Sequence, residues 1–288
     1  MSHSAIFSWL TPLELPVLLL QELVLLDVGG AGFAVGWNYP SAAFTSLPFA
    51  AVLDHCWPEG RNAAVRRQTE FVAARYCAWQ SLNHTDAQLT ATAAVSQPGY
   101  SSDALDVPHH WVERATAGEP LWPADRIGSI SHCAGKAIAV TASAQQLASV
   151  GIDIDRGMPY ERAMAVLPVL TSAIERERLK QWVAEGVLSD AIGHMGTRDE
   201  DTMRCLVTLV FSAKESLYKA LYPLVGVYFD YRDADVVAIG GHSCTMELKR
   251  TLSAEFPAGK QFELGWQCGW PDATMMVSWL LLPQERIV

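Results

Sequence analysis

The chain has no cysteine pair at CxxC spacing and no Cys/His set with zinc-ligand spacing. Its six cysteines, Cys56, Cys77, Cys133, Cys205, Cys244 and Cys268, lie far apart. That argues against a zinc ribbon or a thioredoxin-like motif, and such scattered thiols read as reduced, mostly buried groups of a cytoplasmic protein. Positive charge is also scarce: 21 Lys and Arg stand against 31 Asp and Glu, a formal net charge of −10. A general affinity for nucleic acid or for anionic membranes is therefore not expected. Any anionic ligand must be met by a local basic patch, and the segment "EGRNAAVRRQTEFVAAR" supplies one. Long apolar runs are missing too. The longest candidate, "PVLLLQELVLLDV", is interrupted by Gln21, Glu22 and Asp27. It falls short of the ~20 residues a membrane span needs, and no basic segment precedes it as in a signal peptide. It reads as core. The 15 prolines and 20 glycines are scattered, without linker-like or collagen-like bias, and no internal repeat is visible.

What is present is ordinary globular material. At 288 residues, half of them hydrophobic and 18% charged, the chain fits one large domain or two small ones. Residues 1–60 read as strands and loops. The alanine-rich stretch from Asn62 to about Leu82, free of Gly and Pro, predicts a helix. Loop signals fill Gln97 to Pro123, including "QPGYSSD" and "AGEPLWP". Two short strands follow, "GSISHC" and "KAIAVTA", separated by Ala134-Gly135, and then a third, "SVGIDIDRG". Residues 159–183 read as helix in pieces, with "SAIE" (Ser172 to Glu175) as a capping box. The segment "AEGVLSDAIGHMGTRDED" has no apolar period and reads as an exposed loop. A further helix runs from about Thr202 through Tyr222 and is expected to stop before Pro223. The remainder, from "GVYFDYRDADVVAIGG" to "TMMVSWLLL", alternates apolar and polar with Gly-rich turns, the pattern of an antiparallel sheet. Helices and strands mix without a regular βαβ alternation, which gives α+β as the fold class.

Four segments could carry chemistry. Asp153 and Asp155 alternate with Ile152 and Ile154, so on a strand the two carboxylates share a face. Like charges that close on a partly buried strand need a cation, and a hard divalent metal is the simplest that satisfies both. Solvated carboxylates on an edge strand are the plain alternative, and glycosyltransferases and phosphohydrolases also use D-x-D. In "FSAKESLYKALYP", Ala213, Leu217, Ala220 and Leu221 form one buried helix stripe, with Glu215 and Lys219 four apart on another face beside Lys214. Either an i,i+4 salt bridge, worth ~0.2–0.5 kcal/mol, or a capping box from Ser212 to Glu215 accounts for that pattern. So does a third metal ligand, Glu215, flanked by two phosphate-binding lysines. In "GSISHC", His132 and Ser131 are a core pair or phosphate donors, and Gly128 would let backbone approach a ligand. Arg67 and Arg75, on the Asn62–Leu82 helix, either pair with Glu70 and its neighbours or fork onto phosphate.

Taken in order, "VRRQTEFVAAR", "GEPLWP…IGSISHCAG", "VGIDID" and "FSAKESLYKALYPL" resemble the successive motifs of the Sfp/EntD-type 4′-phosphopantetheinyl transferases, over residues 62 to about 231. The resemblance implies two similar α+β halves, 1–148 and 149–288, in a pseudo-twofold arrangement with the active site in the cleft between them. It implies transfer of the 4′-phosphopantetheine arm of coenzyme A to a serine of an apo acyl or peptidyl carrier protein, with Mg²⁺ as cofactor and 3′,5′-ADP released. A cytoplasmic monomer is expected, with neither nucleic acid nor membrane as partner. Residue by residue, Asp153, Asp155 and Glu215 match the metal ligands, and Glu215 also the base. Lys219 matches the phosphate-contacting lysine and Lys214 its neighbour at the catalytic site. His132 and Ser131 match a coenzyme A phosphate pair, and Arg67 and Arg75 receive the 3′-phosphate, with Arg114 in a similar part. The chain departs from the family where Asp155 replaces the usual Glu, one methylene shorter, and in "WPADRIGS", where a Gly commonly stands near Asp125–Arg126. Two other readings compete: a different D-x-D metal-dependent phosphate enzyme, and a non-catalytic coenzyme A or carrier-binding protein.

Overall fold

A computed structural model describes residues 22–27, 33–38, 49–91, 111–116, 118–188, 192, 198–269 and 273–284. The segment "QPGYSSD" and the start of the apolar run near the N-terminus lie outside the described residues. The chain divides into two compact units, residues 1–150 with 283–288, and Gly151–Leu282. No helix among the described residues is long and apolar enough to cross a membrane.

The first unit is an antiparallel sheet with a long helix. Strands β1 (Glu22–Asp27) and β2 (Phe33–Asn38) precede helix α1 (Phe49–Cys56), a 3-10 turn at Pro58–Asn62 and helix α2 (Val65–Ala91). The N-terminal region is thus not only strand and loop, and α2 extends well past Leu82. A two-stranded ladder, β3 (Glu113–Arg114) with β4 (Pro120–Leu121), occupies part of the stretch read as loop. Strands β5 (Arg126–Cys133) and β6 (Lys136–Ser143) close a sheet of order β1-β2-β6-β5. Ala134 and Gly135 at the β5–β6 turn both have positive φ (49° and 81°), as a two-residue hairpin of the primed type requires. Small side chains on α2, Ala73, Ala74, Cys77 and Ala78, are fully or nearly fully buried with Ala137 and Ala139 of β6. They let helix and sheet approach closely enough for Ser81 and Thr141 to hydrogen-bond at 2.9 Å.

Strand β7 (Leu147–Arg156) carries the chain across the division at Val150 and Gly151. The second unit holds helices α3 (Tyr160–Leu170), α4 (Ala173–Glu185) and α5 (Asp199–Val225). Strands β8 (Ala234–Ile239), β9 (Ser243–Leu248), β10 (Gln261–Cys268) and β11 (Met275–Pro283) complete a sheet of order β7-β11-β10-β9-β8. Its core runs from Leu179 and Leu188 through Leu206, Leu209, Leu217 and Leu221 to Trp266 and Leu280. The predicted stripe on α5 is buried at every position: Ala213, Leu217, Ala220 and Leu221 are each 0% exposed. Two polar residues on the same helix are buried as well, because β11 answers them. Ser212 Oγ pairs with Ser278 Oγ at 2.8 Å, and Ser216 Oγ donates to Ser278 O at 2.9 Å.

Three sequence expectations change here. Pro223 lies inside α5, which continues to Val225 and ends at Gly226, φ 62°, whose N–H reaches Tyr222 O at 2.9 Å. A proline in a last turn forfeits one helix hydrogen bond without ending the helix. Residues Gly226–Asp233 are not strand; the sheet resumes at Ala234, after a 3-10 turn at Tyr231–Asp233. The segment read as exposed loop puts Leu188 and Ile192 in the core, since two apolar residues suffice to anchor a segment that has no period.

Candidate active site

In the second unit the site begins with a close approach of strand and helix. A Cβ on Gly151 would lie 1.9 Å from Ser216 O and 2.8 Å from Ala220 N, so only glycine lets β7 lie against α5 there. Two residues on, Asp153 is 4% exposed, between the buried Ile152 and Ile154. Its Oδ1 accepts from Lys219 Nζ at 2.7 Å, and the same ammonium donates to Ile152 O at 3.0 Å. Both plain readings of the α5 motif therefore give way. Lys219 turns to the strand rather than to Glu215, and Ser212, in mid-helix, bonds Ser278 instead of capping. Asp155 is more open and accepts from Arg156 N at 2.7 Å.

Glu215 faces a pocket of about 160 Å³ lined also by Tyr218, Tyr228, Phe229, Asp230 and Tyr231. Its Oε1 accepts from the Tyr231 hydroxyl. Burial, reinforced by that carboxylate, pushes the Tyr231 phenol well above its ordinary range, so it stays a donor. Tyr231 carried no signal in the sequence reading.

Lys214 is adjacent to Glu215 in sequence, but its ammonium is directed elsewhere. It donates to Leu170 O at 2.7 Å and to Glu175 Oε2 at 2.6 Å, with both side chains buried. Glu175 Oε1 accepts from Val236 N at 2.7 Å. This corrects the capping box: Ser172 Oγ does accept from Glu175 N, yet the Glu175 carboxylate turns inward instead of back to the cap. Burial raises Glu175 to about 7 and lowers Lys214.

Among the described residues, no three His, Cys, Asp or Glu side chains converge closely enough to hold a metal ion. Asp153, Asp155 and Glu215 are thus not gathered into a three-ligand cage. Their chemistry nevertheless suits a hard cation: all are oxygen donors, and the buried Asp153 already binds a positive charge. Mg²⁺ commonly uses only one or two protein carboxylates, with water and phosphate oxygens filling the rest.

The first unit concentrates positive charge. Arg75 is 5% exposed, its guanidinium 4.6 Å from the centre of the Phe71 ring, and among the described residues its Nε has no hydrogen-bond partner. Burial brings it down to about 10, and the charges of Arg114 and Arg67 push in the same direction. Arg114 stacks over Trp57 at 5.5 Å. Arg67 Nη1 lies 3.1 Å from His132 Nε2, within hydrogen-bonding distance. Ser131, next to it on β5, is 7% exposed. Arg67 also pairs with Glu70 Oε2 at 3.7 Å, as its plain reading expects, whereas the buried Arg75 packs on a ring; guanidinium groups gathered in this way suit an anion. Gly128 plays a different part from the one expected, since a Cβ there would lie 2.6 Å from the Trp122 ring and 2.7 Å from Val140 O. It makes room for an indole.

Clustered arginines in the first unit, and a carboxylate–lysine pair beside an aromatic pocket in the second, are residue types that suit phosphate chemistry. The family comparison is more specific. Residues 58–142 match the 4′-phosphopantetheinyl transferase N-terminal domain, and residues 149–268 match the 4′-phosphopantetheinyl transferase superfamily. The chain belongs to this family and is a transferase. It is 28% identical over 246 residues to 4′-phosphopantetheinyl transferase Svp of Streptomyces mobaraensis, covering 83% of this chain and 84% of that protein. It is 27% identical over 176 residues to PptT of Mycobacterium tuberculosis, 61% of this chain and 60% of that one. A shorter match, 35% identity over 102 residues and 35% of each chain, is to enterobactin synthase component D of Salmonella typhimurium.

Proposed function

We propose that the protein transfers the 4′-phosphopantetheine arm of coenzyme A to a serine of an apo acyl or peptidyl carrier protein, releasing 3′,5′-ADP. The observation that carries this reading is the joining of Asp153 on β7 to Lys219 on α5, one helical turn from Glu215 and its pocket. Arg67, Arg75 and Arg114, with Ser131 and His132, would take the phosphate at the nucleotide end of coenzyme A. Lys219, already a donor to Asp153, would donate to the pyrophosphate. Asp153, with Asp155 and Glu215, would hold Mg²⁺, which when bound supplies charge against that building on the leaving nucleotide. The aromatic pocket beside Glu215 suits the uncharged pantetheine arm. Glu215, directly or through a water, takes the proton of the carrier serine as its Oγ bonds to the phosphorus nearest pantetheine and the bond to 3′,5′-ADP breaks.

The test is to incubate the protein with coenzyme A, Mg²⁺ and several apo carriers and weigh the carriers intact. A phosphopantetheine adduct is expected; none on any carrier, from folded protein, overturns the reading. Glu215→Gln should keep its affinity for coenzyme A while turnover falls about a hundredfold, the usual weight of a general base. An undiminished rate would remove Glu215 from the chemistry. For the arginine cluster, Arg75→Met should raise KM for coenzyme A about tenfold, as loss of a charge-assisted hydrogen bond does. It should leave KM for dephospho-coenzyme A, which lacks the 3′-phosphate, unchanged. Equal increases for both substrates would place the 3′-phosphate elsewhere.

A further inference from the structure

The second unit holds one contact to Glu215 that the proposed chemistry has not yet used. Tyr231 sits in a turn that is fixed on several sides. Asp230 Oδ1 accepts from Tyr231 N at 2.6 Å, Asp233 Oδ2 accepts from Asp230 N at 2.8 Å, and Asp233 N returns to Asp230 O at 2.9 Å. From the strand connection beyond β9, Arg250 donates to Asp233 Oδ2 at 3.0 Å and to Tyr228 O at 3.3 Å. Lys249 N adds a bond to Asp233 O at 2.7 Å. The Tyr231 ring packs on Phe211 of α5, with centroids 5.8 Å apart. Backbone, ring and hydroxyl are therefore all constrained, and the hydroxyl ends on Glu215 Oε1.

A carboxylate on a helix surface ordinarily turns among rotamers, and rotation about its last bond exchanges the two oxygens. A donor held by a rigid turn removes that freedom. Oε1 is committed, and among the described residues no hydrogen bond is made to Oε2. We propose that Tyr231 is a positioning residue for the transfer reaction: its hydroxyl holds one oxygen of Glu215 in place and leaves the other to the reacting groups. The inference rests on the proposed transfer and narrows it. Oε2 is then the oxygen of Glu215 presented to the serine proton or to a bound cation, while the hydroxyl fixes its orientation through Oε1.

Tyr231→Phe removes the hydroxyl and keeps the ring against Phe211. In the coenzyme A and apo-carrier assay, kcat is expected to fall about tenfold, a modest misplacement of a reacting group. The calorimetric affinity for coenzyme A should stay within about twofold of wild type, the split expected of a group that acts on the transition state. An unchanged kcat overturns the proposal; so does a loss of coenzyme A affinity with kcat retained, which would make Tyr231 a substrate contact. In a Glu215→Gln background, Tyr231→Phe should change the residual rate less than about twofold, and a further tenfold fall would show action by another route. Urea-unfolding midpoints of wild type, Tyr231→Phe, Glu215→Ala and Tyr231→Phe/Glu215→Ala test the contact apart from activity: they should be non-additive, and additive midpoints overturn the proposal. A wild-type protein that modifies no carrier removes the transfer reading, and the positioning role falls with it even if the midpoints remain non-additive.

Discussion

Lys214→Met is expected to destabilise the protein by about 3–5 kcal/mol near pH 8, the cost of breaking a buried ion pair from one side. The substitution strands the Glu175 carboxylate, which is 0% exposed, with Val236 N as its remaining donor. The cost should shrink as pH falls, because a neutral Glu175 has no charge left uncompensated. Its folded-state pKa, about 7, lies above the ordinary glutamate value of 4.5, and burial is the main cause. The native protein therefore binds the proton more tightly than the unfolded chain does. Stability contributed by Glu175 is fully present below about 4.5 and declines as pH rises through about 7, a slope that Glu175→Gln should remove. The double variant Lys214→Met/Glu175→Gln removes both charges of the pair; its glutamine can still accept from Val236 N, and the neighbouring buried Asp235 keeps its bond from Ser172 Oγ, so stability should return to within about 1 kcal/mol of wild type. Denaturant unfolding at two pH values measures all of this. The same double variant separates two roles for Lys214. If the lysine anchors α5 to α4 and the α3 terminus, the double variant should keep wild-type KM for coenzyme A. A folded double variant with raised KM would return Lys214 to the phosphate.

Gly151→Ala is the second large effect. A methyl 1.9 Å from Ser216 O meets backbone on both sides of the contact, so no side-chain rotation relieves it. Overpacking of this kind costs about 3 kcal/mol or more, and the strand must move away from α5. Because Asp153 lies two residues along that strand, its bond to Lys219 should be strained too, and turnover should fall with stability. Gly241 is the control: a Cβ there has nothing within 4 Å, and Gly241→Ala should change stability by less than about 0.5 kcal/mol. A Gly151→Ala protein as stable as that control would mean that β7 and α5 are further apart than described.

The helix of Lys214, Glu215 and Lys219 was legible from its apolar stripe, and the strand of Asp153 from alternation. Both patterns follow from fixed side-chain periods, which tertiary structure seldom overrides when they are strong. The hairpin of His132 was legible because Ala134-Gly135 is a two-residue turn between β-branched runs. Helix α2 was found but cut short, since the polar stretch beyond Leu82 gives no signal that separates helix from loop. Pro223 misled in the opposite sense, because a rule about helix interiors does not govern a last turn.

The order of the motifs carried the resemblance to the family, and periodicity the mixture of helix and sheet, because both depend on side-chain identity and on spacing along the chain. Only the tertiary structure decided what each charged group faces. Lys219 meets Asp153, whereas Lys214, five residues earlier, meets Glu175, 39 residues away in sequence. Glu215 meets a hydroxyl from a turn 16 residues downstream. Neighbouring side chains on a helix point about 100° apart, so adjacency in sequence separated these partners and packing chose them.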